Sequence, residues 1–159
     1  MTGKRRAFFE RYTDAWNDHD PDAVVAQFAS DGTYVDPSLD DPLSRAQVTD
    51  FVAETVAAFP DVRFTERQVT TAESSENLVL TAEWTMTGTH EGSFQGLPPT
   101  GETIEIEGVD IVTITDEGIT SINGYFDQSA VMSQLGLTFP TVLGKVPTLA
   151  VGAVRAALS

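Results

Sequence analysis

A chain of 159 residues with 41% hydrophobic and 21% charged residues is typical of a single globular domain with a packed core. Its formal net charge of −15 argues against nucleic acid and anionic membranes as partners, because both bind cationic surfaces. The chain has no cysteine and only two histidines, far apart in the sequence, which excludes disulfides and thiolate chemistry and does not favour a metal site.

The location of the protein is predicted from the same features. No apolar run is long enough for a signal peptide or a membrane span, which predicts a cytoplasmic protein. Carboxylates dominate the surface, and salt screens the self-repulsion that they cause. We therefore favour a halophilic source over an ordinary acidic cytosolic protein.

Helices dominate the first 60 residues. The first helix has an aromatic face, and its Tyr12 and Trp16 are candidate pocket residues because each carries a polar atom that needs a partner when buried. A short strand follows the second helix and carries Tyr34, then Asp36 directly before a proline. The predicted elements are helix 3–18, helix 20–29, strand 33–36 and helix 44–59.

The next part of the chain is predicted to form antiparallel strands. In the second of them, alternation places Trp84, Met86 and His90 on one face, which a period of two predicts to be the inner face. In the third, Asp110 shares a face with isoleucines, so it is either buried and functional or displaced by a bulge at Gly108. The predicted strands are 62–71, 77–90, 103–115 and 119–126, with a hairpin turn at 116–118.

The stretch ITSINGYFDQSAVMSQLGL (119–137) predicts a strand that continues into a short helix. Asp127 lies at the junction, where we expect it to face a pocket; the same position suits the N-cap of the helix, and the two roles can coexist. Asn123 and Tyr125 share the parity of Asp127. The sequence leaves open whether that face lines the pocket or faces solvent.

Three helices followed by a meander of antiparallel strands predict an α+β domain over residues 1–137, with a curved sheet wrapped around the helices. Residues 138–159 form an apolar tail in which Pro147 is predicted to open a last helix. This tail is expected to dock on the domain, close the pocket mouth or pack on a second subunit.

This order of elements resembles the NTF2-like cone, and three motifs narrow the resemblance. The run GTHEGSFQGLPPTG (88–101), followed by GVDIVTITDEG and YFDQSAVMSQLGL, resembles the SnoaL-like polyketide cyclase group over roughly residues 5–137. The resemblance implies a cone that encloses an apolar pocket, with Asp127 as the acid/base on the strand that leads to the QLG helix. Thr113 stands where characterised cyclases have an assisting histidine.

The segment RYTDAWNDHDPDAVVAQFASDGTYVDP (11–37) is similar to the start of ketosteroid isomerases. That resemblance implies Asp36 as a base and Tyr12 and Asp110 as donors to an enolate oxygen. Both resemblances imply one chemistry, in which a carboxylate removes a proton next to a carbonyl without a metal or an organic cofactor.

Three functions remain open from the sequence: a SnoaL-like enzyme with Asp127 as acid/base, a ketosteroid-isomerase-like enzyme with Asp36 as base, and a non-catalytic binding module. In each case the expected ligand is an apolar small molecule, and the superfamily implies a homodimer. The candidate catalytic residues are Asp36, Asp110 and Asp127, and the candidate ligand contacts are Tyr12, Trp16, Tyr34, Trp84, Met86, His90, Asn123 and Tyr125.

Overall fold

A six-stranded curved sheet with helices packed on it forms the fold in the computed structural model, which describes residues 2–138 and 141–158. The strand order is β2-β1-β6-β5-β4-β3, and among the described strands only β1 and β6 pair in parallel. The predicted α+β class is confirmed. The elements are α1 (Thr2–Asn17), α2 (Pro21–Val25), β1 (Phe28–Val35), β2 (Leu43–Ser44), α3 (Arg45–Ala58), β3 (Arg63–Glu73), β4 (Leu78–Thr89), β5 (Thr103–Thr115), β6 (Gly118–Phe126), α4 (Gln128–Gln134) and α5 (Thr141–Leu158).

Helix α1 forms because its aromatic residues recur at helical spacing and bury one face. Phe9, Tyr12 and Trp16 recur at helical spacing, and all three are buried in the core. Their aromatic face packs towards the sheet, where Trp16 meets Phe64 of β3 edge to face at 5.2 Å between ring centroids. This face of α1 becomes one wall of the interior.

The second helix is shorter than predicted, and the strand after it is longer. Asp20 caps α2 by accepting a hydrogen bond from Ala23 N (3.0 Å), as its position indicated. The helix ends at Val25 rather than near residue 29, because Phe28 already pairs in parallel with Ile119 of β6. Apolar residues at 24 and 28 fit a helical period as well as a buried strand, so only the pairing with β6 decides between the two.

Of the two alternatives that the sequence left open for β5, the structure excludes the bulge at Gly108. The β4–β5 register runs without a shift from Leu78↔Ile114 to Thr89↔Thr103, and Gly108 pairs directly with Trp84. A Cβ at residue 108 would lie 2.3 Å from the Trp84 ring, so this glycine makes room for an indole rather than for an extra residue. Register shifts lie instead between Phe28 and Thr33 where β1 meets β6, between Glu66 and Gln68 of β3, and next to Thr113 where β5 meets β6.

Arg5 joins α1 to the turns at one end of the sheet. Its side chain is buried, its Nε donates to Asp116 Oδ1 (2.9 Å), and its other guanidinium nitrogens donate to two carbonyls of the β3–β4 turn (3.1 and 3.2 Å). A planar guanidinium satisfies three acceptors in fixed geometry, so this residue fixes the helix relative to two hairpins.

Replacing Arg5 with methionine is expected to lower the free energy of unfolding by about 3 kcal/mol, because hydrogen bonds to a charged group are lost in a buried setting. The matched control is Arg6→Met, which removes only the exposed helical pair with Glu10 and should cost less than about 0.5 kcal/mol. Urea unfolding of both variants measures the difference. Equal effects would show that burial of the Arg5 guanidinium adds nothing.

The C-terminal helix α5 starts earlier than predicted. It begins at Thr141 and contains Pro147 in its interior, whereas the sequence predicted that the proline would open the helix. The helix lies against the 96–101 loop, where Gly152 approaches the Pro98 ring, and Lys145 forms an ion pair with Glu102. The helix continues through Pro147 although proline supplies no N–H to the helical hydrogen-bond ladder. Residues 139, 140 and 159 of the predicted tail lie outside the described residues. Within the described part of the chain, none of the helices is both long and apolar enough to cross a membrane.

Candidate active site

A cavity of about 630 Å³ lies between the helices and the concave face of the sheet. Its volume falls within the range of pockets that bind small molecules. Seven of the predicted site residues line it, and they are Tyr12, Trp16, Tyr34, Asp36, Trp84, Met86 and Asp110. Aromatic and aliphatic side chains form most of the remaining wall, among them Phe9, Phe51, Phe59, Phe64, Ile104, Ile106 and Phe126.

Asp36 lies at the end of β1 and is 7% exposed. Its Oδ2 accepts a hydrogen bond from the Tyr34 hydroxyl (2.7 Å), and its Oδ1 accepts from the backbone N–H (2.7 Å) and the hydroxyl (2.6 Å) of Ser38. The Asp-Pro-Ser turn therefore does more than reverse the chain. It holds a buried carboxylate in a fixed orientation at the cavity wall.

Asp110 lies on β5, directly across from Gly124 of β6. A Cβ at Gly124 would lie 3.0 Å from Asp110 Oδ1 and 3.3 Å from Asp36 Cβ, so the two acidic residues meet next to this glycine. The part of Asp110 that stays accessible faces the cavity. Burial away from water raises the pKa of Asp110 to about 7; the Trp84 indole opposes this rise, and the charge of Asp36 adds to it.

Two tyrosines complete the polar group. Burial raises the pKa of Tyr12 well above its ordinary value, and the negative charge of Asp110 raises it further. Burial and the charge of Asp36 do the same for Tyr34. Both hydroxyls therefore stay protonated and act as hydrogen-bond donors near the two carboxyl groups.

The prediction that Asp127 faces the pocket is wrong. Asp127 lies at the exposed N-terminus of α4 and accepts hydrogen bonds from Ser129 N (2.9 Å) and Ala130 N (3.2 Å). The Ser129 hydroxyl and then the Ala130 N–H hold its pKa below the ordinary value, as expected for a helix cap. The carboxylate is therefore already satisfied by its own helix, outside the cavity.

Asn123 and Tyr125 also lie outside the cavity. Residues alternate between the two faces of β6, and these two lie on the face opposite to Gly124 and Phe126, which line the cavity. Both point to the outer face of β6, and Tyr125 is 55% exposed. The inner face of this strand carries Ile122, Gly124 and Phe126, which are the apolar and small residues of the alternating pattern. Asn123 and Tyr125 therefore do not line this cavity, and a contact of either residue with a ligand stays a prediction.

His90 is buried but does not line the cavity. It follows the end of β4, stacks on Phe59 at 5.2 Å between ring centroids, and its Nδ1 receives the Thr100 backbone N–H (3.3 Å). Burial lowers its pKa, which favours the neutral ring. His90 thus holds the 90–100 loop against the end of α3, and its role as a ligand contact stays a prediction.

Sequence reasoning missed the part of the wall that α4 and the 94–97 loop contribute. Val131, Met132 and Leu135 of α4 line the cavity together with Phe94 and Leu97. The apolar positions 131, 132 and 135 have helical spacing and would have indicated this face.

Among the described residues, no group of three acidic or histidine side chains is arranged to hold a metal ion.

The fold, an open curved sheet with helices around a cavity, is that of the NTF2-like class. The model of the family "SnoaL-like polyketide cyclase" matches residues 6–135, and the chain belongs to this family. A comparison with curated proteins finds no significant match. The match spans the cavity-lining elements from α1 to α4 and ends before α5.

Solved structures share the fold at low sequence identity. AclR from Streptomyces galilaeus, assigned as a hydroxylase, has a TM-score of 0.72 and 22% identity, with 87% of this chain and 99% of that chain covered. An assigned SnoaL-like polyketide cyclase from Jannaschia sp. CCS1 has a TM-score of 0.71 and 20% identity over 84% and 92% of the two chains. A protein from Catenulispora acidiphila DSM 44928 with a ketosteroid isomerase-like fold, in complex with trimethylamine, has a TM-score of 0.65 and 26% identity over 82% and 93%. The predicted NTF2-like fold is confirmed.

Proposed function

We propose that this protein is a cofactor-free acid–base enzyme that acts on an apolar carbonyl compound. In this proposal Asp36 removes a proton from the carbon next to the carbonyl, and Asp110 and Tyr12 hold the oxygen of the resulting enolate. The observation that carries the proposal is that Asp36 and Asp110 both approach Gly124 in a cavity whose wall is mostly apolar. Like charges in such a place are costly unless one of the two groups is protonated.

The base role is assigned to Asp36 because of its hydrogen bonds. All three of its contacts are donors, so its carboxylate acts as an acceptor. A carboxylate offers about four lone-pair sites, which leaves one free for a proton from the ligand. The fixed orientation supports general base catalysis, which contributes about 10²–10⁴-fold.

The donor roles are assigned to Asp110 and Tyr12 because both carry a proton near neutral pH. A carboxyl group with a pKa of about 7 is close to half protonated at that pH, and its O–H can then donate. Tyr12 keeps its hydroxyl proton because burial raises its pKa. Each donor to a developing oxyanion in a dry site is worth about 10²–10³-fold.

A hydrogen-exchange assay tests the proposal without knowledge of the natural substrate. Isomerisation and aldol cyclisation both begin with loss of a proton next to a carbonyl, so the enzyme should exchange that proton with solvent. The bicyclic ketone 2-tetralone in D₂O is expected to gain deuterium faster with the protein than in buffer alone, as measured by NMR. Binding of 2-tetralone without any exchange would instead support a binding module.

A further inference from the structure

Gly108 leaves the space in which the Trp84 indole packs against the cavity wall. Its six-membered ring lies over Gly108, at the position that a β-carbon there would occupy. An edge-to-face contact with Phe64 (5.6 Å between centroids) and a tilted ring contact with Phe126 (6.3 Å) hold its other sides. Trp84 is 9% exposed and lines the cavity. Packing against Gly108, Phe64 and Phe126 sets the orientation of its ring.

The N–H of this indole has no acceptor. Trp84 Nε1 is buried, and no atom of the described residues accepts its hydrogen. It lies close enough to Asp110 to influence that carboxyl group, yet it does not reach it in hydrogen-bonding geometry. A buried donor left without a partner destabilises the fold, and such groups in native proteins are rare. A tryptophan that only filled space could be replaced by phenylalanine without this cost.

The position of the N–H relative to the two acids suggests its partner. In the sheet order β1-β6-β5-β4, Asp36 follows β1, Asp110 lies on β5, and Trp84 lies on β4. An oxygen held by Asp110 therefore has Asp36 on its β1 side and the Trp84 indole on its β4 side. The side chains of Trp84 and Asp110 both line the same cavity.

We propose that the Trp84 indole N–H is a third donor to the substrate oxygen that Asp110 and Tyr12 bind. This inference rests on the proposed function of the same cavity. A neutral carbonyl oxygen has two lone pairs, whereas the oxygen of an enolate accepts three hydrogen bonds. Three donors therefore suit the enolate better than the ketone, and this difference is what accelerates proton removal. The substrate class is a ketone whose carbonyl lies on a flat apolar skeleton that fits between the surrounding aromatic rings.

The test measures binding of 2-naphthol, a flat apolar phenol whose oxygen mimics that of an enol. At about pH 5.5 Asp110 is mostly protonated, so an indirect effect of Trp84 through the charge of Asp110 is minimal. Two variants are compared with the wild type: Trp84→benzothienylalanine, which keeps the ring shape and lacks the N–H, and Trp84→Phe. Loss of one neutral hydrogen bond should weaken binding about five- to tenfold in both variants.

An indole NMR signal provides a readout that a purely structural role would not move. The chain has two tryptophans, and assignment by the Trp84→Phe variant identifies the signal of residue 84. Naphthol should shift the Trp84 N–H proton downfield. Unchanged affinity of the benzothienylalanine variant, or an unmoved indole signal, would overturn this inference and leave the proposed function intact. Failure of the wild type to bind naphthol and to exchange 2-tetralone would overturn both.

Discussion

Replacing Asp36 with asparagine is expected to lower the rate of ketone hydrogen exchange by about 10²–10⁴-fold, because the amide cannot accept a proton at neutral pH. Asparagine keeps an acceptor oxygen for the Ser38 N–H, so the turn after β1 should still form. The measurement is kcat/KM for deuterium uptake by 2-tetralone. Naphthol affinity, measured in parallel, should change far less than kcat/KM.

The matched control is Asp127→Asn. Asp127 lies outside the cavity as the N-cap of α4, and asparagine is an equally good cap. Its kcat/KM should therefore stay within about twofold of the wild type, because general base catalysis does not involve it. If Asp127→Asn abolished exchange while Asp36→Asn did not, the assignment of the base to the cavity pair would be wrong.

Replacing Asp110 with asparagine is expected to stabilise the protein at pH 8 and to change little at pH 4. The pKa of Asp110 rises from 3.8 to about 7 on folding, so its protonated form is the one that the fold favours. This contribution is fully present below the unfolded pKa and is lost as the pH rises through about 7. A shift of about three units corresponds to at most about 4 kcal/mol. Urea unfolding at both pH values measures the gain; equal stability of the two proteins at pH 8 would show that Asp110 ionises freely.

The activity of the wild type should follow the same titration of Asp110. If protonated Asp110 donates to the substrate oxygen, kcat/KM of the wild type falls as the pH rises through about 7. Asp110→Asn keeps an N–H donor in place of the O–H, so it should retain substantial activity and lose this decline. A rate that instead rises through about 7 would make Asp110 the base.

These two experiments separate the acids because the structure gives them different surroundings. Asp36 accepts three hydrogen bonds, whereas the largest influence on Asp110 is burial away from water. Desolvation of a carboxyl group favours its neutral form. A residue that destabilises the fold at neutral pH is typical of a site where function, rather than stability, sets the side chain.

Much of the fold could be predicted from local patterns. The aromatic spacing around Tyr12 and Trp16 indicated α1 and its buried face, and alternation in β4 placed Trp84 and Met86 inside. Asp110 among isoleucines was predicted to be buried if no bulge intervened, and none does. In each case a long periodic segment has one apolar face, and burial of that face fixes its direction.

The predictions that were wrong concern segments with a short periodic pattern, or strands whose two faces could not be told apart from the sequence. Helix α2 ends before Phe28 because β6 offers a parallel partner that is 91 residues away in the chain. On β6 the sequence favoured Asp127, which shares its face with polar residues, as the pocket residue. The small and apolar residues Gly124 and Phe126 on the other face line the cavity instead. A one-residue change of parity reverses a strand's faces, so these assignments depended on the sheet around them.

The sequence by itself determined the α+β class, the aromatic walls and the family, because these follow from periodicity and motifs that are local in the chain. Only the tertiary structure decided which acid belongs to the site. Asp127 is satisfied by the first turn of α4, whereas Asp36 and Asp110, 74 residues apart, meet next to Gly124. Their proximity comes from strand pairing across the sheet. The desolvation that makes Asp110 able to carry a proton exists only when the cavity has closed around it.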